Sequence, residues 1–238
     1  PTYRNSQHRK RCKRYSISNG NNFVIMYNLS RRNIDNELST KSLTDISTID
    51  NRIEAANKHI GSVKFLNIDI CKEQQKLRNL IKDFNPDAVV QFAEQRAATY
   101  SMVNDHTRRY TIDNNVTGTH NICSAIVDIN KDIHFVHLGT MGVYGYNKDF
   151  GKIPEGYLDI NIPETNKDAS ILYPANPGSI YHLTKCLDQL IFQFYAKNWG
   201  LNFTDLHQGS GWGGNAAVTR KEDRVVRRCD CEGRAGRV

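Results

Sequence analysis

The chain has 238 residues, 39% of them apolar and 24% charged, a balance that suits a globular protein with a full core. No apolar run approaches the roughly 20 residues of a membrane span. There is no apolar signal segment at the N-terminus, so an intracellular, cytoplasmic protein without a membrane partner is expected. The formal net charge of +7 would raise nucleic acid as a partner, but it sits in the flanks. Residues 1–14 hold six Lys/Arg and no acid, and residues 220–238 hold seven against four, leaving 19 basic and 21 acidic residues in 15–219. No nucleic-acid face is expected on the body.

Residues 1–22 are polar and basic, without apolar periodicity, and are expected to be disordered. Phe23-Val24-Ile25-Met26-Tyr27 is a short apolar run of the kind that forms a buried strand. A polar loop, Asn28-Leu29-Ser30-Arg31-Arg32, leaves it, and a helical or mixed segment runs to Ala56. A second strand is expected over 63–69, ending in the carboxylate of Asp69. Leucine and isoleucine at helical spacing predict a helix over 74–84, which Pro86 stops. Further strands are expected over 88–92 and 134–138, with a long helical pattern over about 105–130 between them. The region after Gly139 reads as polar and proline-spotted to Pro177. A helix over about 179–198 and a strand over 202–206 follow.

Short apolar strands alternating with helices indicate an α/β fold, a Rossmann-like doubly wound parallel sheet covered on both faces. Ligands of such sheets bind beyond the carboxyl ends of the strands. The polar clusters lie there: residues 28–31, Asp69, residues 94–96, Thr140 and Gln208. The domain is expected over 23–209, between a basic segment, 1–22, and an irregular basic tail, 210–238. The six cysteines, Cys12, Cys71, Cys123, Cys186, Cys229 and Cys231, show neither a disulfide framework nor zinc-ligand spacing, so reduced thiols and no metal are expected.

Tyr181 and Lys185 stand four residues apart and share a helix face. A cation beside a phenol lowers its pKa, which makes the pair a candidate proton-transfer device. A bare pair of this kind is also common on helix surfaces, and Asp69 taken alone reads sooner as a helix N-cap or turn residue.

Taken with Gly139-Thr140-Met141-Gly142-Val143-Tyr144-Gly145 and Asn115-Val116-Thr117-Gly118-Thr119 in the same order, the pair resembles the extended short-chain dehydrogenase/reductase family, the NAD-dependent nucleotide-sugar epimerases and dehydratases. The segment Phe92-Ala93-Glu94-Gln95-Arg96-Ala97-Ala98-Thr99-Tyr100-Ser101-Met102 and the Met-Gly after Thr140 are most similar to the UDP-sulfoquinovose synthase branch.

That resemblance implies NAD as cofactor, UDP-glucose and sulfite as substrates, a 4-keto intermediate and a homodimer, in the plastid for a photosynthetic eukaryote. It implies Tyr181 as the base on the sugar 4-hydroxyl, Lys185 as the group that lowers its pKa and holds the nicotinamide ribose, and Thr140 on the reacting oxygen. His182 matches a proton relay, and with Arg96, Thr140 and Gln208 a substrate contact. Asn28, Leu29, Ser30, Arg31, Asp69, Ile70 and Asn115, with Tyr181 and Lys185, match cofactor-binding positions.

Three departures stand out. No Gly-rich turn occurs in 1–22, Tyr27 replaces an expected aspartate, and Val143 replaces an expected glutamate. Beyond Gly209 the nucleotide-sugar-binding domain that the resemblance implies is missing, so a fragment with truncated or frame-shifted ends is expected. A sulfite-independent 4-epimerase or 4,6-dehydratase, or an inactive scaffold, are the alternatives.

Overall fold

The computed structural model describes residues 22–42, 46–60, 62–145, 157–164, 167–172, 175–209 and 217–218. The expected disorder of 1–22 and irregularity of 210–238 therefore fall, apart from Asn22 and Ala217–Val218, outside the described residues. Two compact units are present, one up to Asp69 together with Ala217–Val218, the other from Ile70 to Gly209.

In the first unit, β1 (Phe23–Met26) and β3 (Val63–Leu66) pair in parallel, Phe23 against Val63 through Met26 against Leu66. The crossover carries α1 (Ser30–Glu37), a two-residue β2 (Lys41–Ser42) and α2 (Ile49–Ile60). Parallel pairing requires such a crossover, because a hairpin would reverse the second strand. β2 pairs antiparallel with β9 (Ala217–Val218), which places a short strand in a stretch expected to have none. Leu29, just before α1, takes a left-handed conformation at φ 59°, unusual for a side chain with a Cβ. Asn28 braces this turn: its Oδ1 accepts from Ser30 N at 3.1 Å and its Nδ2 donates to Asp69 Oδ2 at 3.1 Å.

The second unit is built on β4 (Ala88–Gln91), β5 (His134–His137) and β8 (Phe203–Asp205), parallel and in that order. Before β4, α3 (Gln74–Phe84) buries Leu77 and Ile81, one turn apart, and ends at Asn85 in left-handed geometry ahead of Pro86. The expected long helix is α4 (Asp105–Ile112) and α5 (Gly118–Ile129), joined by a π-helical turn at Asp113–Thr117. Asn104 and Thr107 cap α4 reciprocally. At the joint Gly118 packs on Ile70, whose Cδ1 a Cβ would meet at 2.9 Å.

Between Gly145 and the last helix lies an element the sequence reading lacks, an antiparallel hairpin of β6 (Tyr157–Ile162) and β7 (Lys167–Leu172). The strict alternation of Leu158, Ile160 and Ile162 with polar neighbours is a strand signal, masked by the surrounding polar and proline-rich composition.

α6 (Ile180–Trp199) starts at Ser179, whose hydroxyl accepts from His182 N at 3.2 Å, and ends at Gly200, φ 74°. Its buried face carries His182, Lys185, Asp188, Phe192 and Tyr195. Phe192 is fully buried and meets Phe135, His137 and Phe203 with ring centroids 4.8–5.4 Å apart. Truncating an aromatic core residue of this kind costs about 3–5 kcal/mol, so Phe192 is a substantial tie between α6 and the sheet. Among the described residues, no helix is long and apolar enough to cross a membrane.

Candidate active site

The carboxyl end of β5 and the first turns of α6 bring the candidate residues together. After His137 the chain runs Leu138, Gly139 and Thr140, and Thr140 bridges in parallel to Gln208 just past β8. Met141 N donates to Gln208 O at 3.0 Å, which ties two sequence-distant candidates into one ladder. Thr140 then caps a 3₁₀ turn, Met141–Tyr144, its Oγ1 accepting from Gly142 N at 3.1 Å. Gly142 lies directly under the His182 ring, with no room for a Cβ.

Tyr181 follows Ser179 by two residues, and its backbone N–H donates to Ser101 Oγ at 3.1 Å. Thr140 lies near enough to its phenol to lower its pKa, and its ring lies 5.1 Å from that of His182. Lys185, one turn on, places Nζ 6.0 Å from the Tyr181 ring centroid. Thr140, Tyr181, His182 and Lys185 thus form one constellation.

Beneath it is a buried ionic cluster. The Lys185 ammonium pairs with Glu94 Oε2, donates to Leu138 O at 2.7 Å and lies 3.1 Å from His137 Nε2. His137, fully buried, meets Glu94 Oε1 through Nε2 at 2.8 Å and Asp205 Oδ1 through Nδ1 at 2.7 Å. Asp188 Oδ2 faces the same Nε2 at 3.5 Å. Asp205 continues to His207 Nε2 at 2.9 Å, and His207 Nδ1 meets the Tyr144 hydroxyl at 2.7 Å.

Charge explains how this cluster tolerates burial. Burial alone would lower the pKa of His137, but Asp188, Asp205 and Glu94 raise it to about 10, so it is an imidazolium donating from both nitrogens. Burial and the neighbouring Glu94 push the Asp188 carboxyl up to about 6. His137 and His207 outweigh burial at Asp205 and hold it down at about 2. Glu94 is likewise held below the usual carboxylate range against burial, by Lys185 and His137. With two cations facing three carboxylates, Asp188 carries the excess.

Tyr181 departs from the sequence-based expectation. Burial raises its pKa, Lys185 lowers it, Glu94 raises it again, and the net shift is upward. The lysine acts in the expected direction, but desolvation and the carboxylates behind the lysine outweigh it. His182 is lowered by burial, and Ser179 Oγ lies 3.1 Å from its Nδ1.

The remaining candidates lie in different settings. Asn115 is fully buried and spends its amide internally: Oδ1 accepts from Gln95 N at 2.8 Å and Asn114 Nδ2 at 3.0 Å, and Nδ2 donates to Gln95 O at 3.0 Å and Thr184 Oγ1 at 3.1 Å. It therefore locks the segment after β4 to α6. Ile70 is buried, and its carbonyl accepts from Asn121 Nδ2 at 2.9 Å. Arg96 is exposed and Gln208 half-buried. Val143, where a glutamate was expected, is buried at 1% exposure, a packing position. Asn28, Leu29, Ser30, Arg31 and Asp69 belong to the first unit, where they form the turn described above.

Reasoning from sequence missed His137, Asp188, Asp205 and His207 as site residues and gave Glu94 no role. One signal was available. Asp188 lies three residues after Lys185 and four before Phe192, on the apolar face of a helix, where a carboxylate needs a partner. Glu94, His137 and Asp188 also offer oxygen and nitrogen atoms within 4.8 Å of one another, as a metal cage would. The Lys185 ammonium already lies among them and supplies the positive charge.

Residues 32–230 match the model of the NAD dependent epimerase/dehydratase family. The chain belongs to this family. Among curated relatives, UDP-sulfoquinovose synthase, chloroplastic, of Spinacia oleracea is 39% identical over 208 residues, 87% of this chain and 42% of that protein. UDP-sulfoquinovose synthase of Sulfolobus acidocaldarius is 33% identical over 207 residues, 87% of this chain and 50% of that protein. The chain thus spans about half the length or less of these relatives. Among solved structures, UDP-glucose 4-epimerase of Stenotrophomonas maltophila, with bound NAD and formylated UDP-arabinopyranose, superposes with a TM-score of 0.59 at 18% identity. The match covers 83% of this chain and 48% of that one. At that identity it shows the fold alone, the Rossmann-like α/β architecture of the family.

Proposed function

We propose that this chain is the catalytic part of a UDP-sulfoquinovose synthase-type enzyme, acting on UDP-glucose and sulfite with NAD as cofactor. The observation that carries this reading is the gathering of Thr140, Tyr181, His182 and Lys185 at the carboxyl end of β5, in a chain 39% identical to a relative of that name. NAD, when bound, would supply the hydride acceptor. Its fit is supported by Tyr181 and Lys185 sharing one helix face beside Thr140.

Tyr181, once its phenol has lost its own proton to solvent, takes the proton of the sugar 4-hydroxyl and returns it when the 4-keto intermediate is reduced. Thr140 hydrogen-bonds the same oxygen. The ammonium of Lys185 stabilises the phenolate while it lasts. His182, its pKa lowered by burial and therefore neutral near pH 7, accepts and gives protons at the neighbouring carbons. Arg96 and Gln208 contact the substrate, Arg96 because a guanidinium fork pairs two anionic oxygens.

Incubating the purified chain with UDP-glucose, NAD and sulfite, and following the sugar nucleotide by mass spectrometry, is the direct test. A sulfonated product that Tyr181→Phe does not form supports the reading, and unchanged UDP-glucose refutes it for this chain. A second reading, a sulfite-independent 4-epimerase or 4,6-dehydratase, is favoured by Val143, which removes the carboxylate expected of the sulfosugar branch. It predicts product without sulfite.

A homodimer belongs to the proposal. Leu183, Leu190 and Phe194 are exposed along one stripe of α6, and Met102 and Val103 are exposed nearby in sequence to the capped start of α4.

A further inference from the structure

We propose that Glu94 is a positioning residue for this site: clamped from below by His137, its carboxylate holds the Lys185 ammonium and thereby sets how readily Tyr181 gives up its proton. The inference rests on the reading of Tyr181 as the proton-transfer group.

The geometry is specific. Glu94 uses one oxygen for each cation, Oε2 for Lys185 and Oε1 for His137 Nε2 at 2.8 Å, and the same Oε1 accepts from Gln91 Nε2 at 3.1 Å. Lys185 completes its donors on Leu138 O at 2.7 Å. Both side chains are almost fully buried, at 5% and 3% exposure. A buried ammonium held by a carboxylate is largely neutralised as seen from its other neighbours, because the pair acts at a distance as a dipole. The phenol therefore faces an ion pair rather than a lone cation: burial raises its pKa above the ordinary value, Lys185 pulls it down, and Glu94 takes back part of what the lysine gives.

The titratable groups around the pair are His137 of β5, Tyr181 and Asp188 of α6, Asp205 of β8 with His207 behind it, and Cys123 of α5, whose thiol burial and then Asp188 push up. Of these, His137 and Asp205 compensate each other at 2.7 Å. That leaves Glu94, and after it Asp188, as the anions that raise the Tyr181 pKa, and of the two it is Glu94 that pairs with Lys185. In the proposed reaction this keeps Tyr181 a phenol at rest. Any contact that draws Lys185 from Glu94 toward the substrate would activate it.

The test is a pH titration of ¹³C-tyrosine-labelled protein by NMR, with the Tyr181 resonance identified as the one absent from Tyr181→Phe. Glu94→Gln keeps the shape and removes the charge, and the Tyr181 midpoint is expected to move to lower pH than in the unaltered chain. Since that change leaves Lys185 and His137 opposed, the charge-balanced Glu94→Gln/His137→Gln is measured beside it. The same downward shift is expected, with folding checked by circular dichroism. A midpoint that stays in place or rises in a folded variant overturns the proposal, as would a lower melting temperature with no shift. In the unaltered chain, slow water exchange of the Lys185 ammonium protons, assigned with Lys185→Arg, is expected of the clamped pair, and fast exchange overturns it. No turnover is needed. Failure to act on UDP-glucose would refute the proposed function and leave this result standing.

Discussion

His137 has an acidic partner on each ring nitrogen, Glu94 and Asp205, and a third carboxylate, Asp188, within 3.5 Å. A histidine raised to about 10 stabilises the fold fully below its unfolded value of about 6.5; that contribution is lost as pH rises through about 10. Asp188 acts in the same sense at lower pH, losing its contribution as pH rises from about 4 through about 6. Between pH 7 and 9 the decline thus belongs chiefly to His137. Urea midpoints measured across that range should fall with pH, and in His137→Gln the slope should flatten. A flat profile for the unaltered chain would show that His137 is neutral. Asp205 runs the other way, its contribution present above about 4 and lost as pH falls through about 2.

At the same scale, Tyr181→Phe removes one hydroxyl from a site otherwise left intact. Turnover is expected to fall to background while the melting temperature changes little, because the ring contact with His182 at 5.1 Å is kept.

Among the elements, α6 carries most of the site, and its first turn is its most sensitive part. Ser179 caps the helix through His182 N and also touches His182 Nδ1. Losing such a cap costs about 1 kcal/mol. Ser179→Ala should therefore lower stability by about 1 kcal/mol in chemical denaturation and also free the His182 ring, visible as a changed histidine resonance. Ser179→Asp should restore the cap and its stability.

The helix itself was legible because Leu183, Leu187 and Leu190 recur at helical spacing and Gly200 ends it. β6 and β7 were not. Their apolar residues alternate correctly, yet the surrounding stretch is polar and proline-spotted and holds no continuous apolar run of the kind that marked the other strands. Likewise the 105–130 pattern gave the helices, while the π-helical turn at Asp113–Thr117 left no trace, since one extra residue in a turn changes no periodicity that a short window can detect.

For the whole molecule, assembly is the property most open to test. Leu190 and Phe194 are 55% and 57% exposed on α6, the most exposed of its large apolar side chains. If this stripe is the dimer face, Leu190→Glu/Phe194→Glu should halve the mass seen by light scattering without loss of circular dichroism signal. An unchanged mass would move the interface elsewhere.

By itself, the sequence determined the alternation of strands and helices, the carboxyl-end location of the polar clusters and the family. Each depends on local periodicity or on motifs that a few adjacent residues carry. Only the tertiary structure decided what surrounds the lysine. Glu94, His137, Asp188 and Asp205 come from four separate places in the chain, and the parallel register of β4, β5 and β8 with the pitch of α6 brings them together. Their effect on Tyr181 depends on burial and on distances of a few ångströms, and neither is written in the spacing of a tyrosine and a lysine.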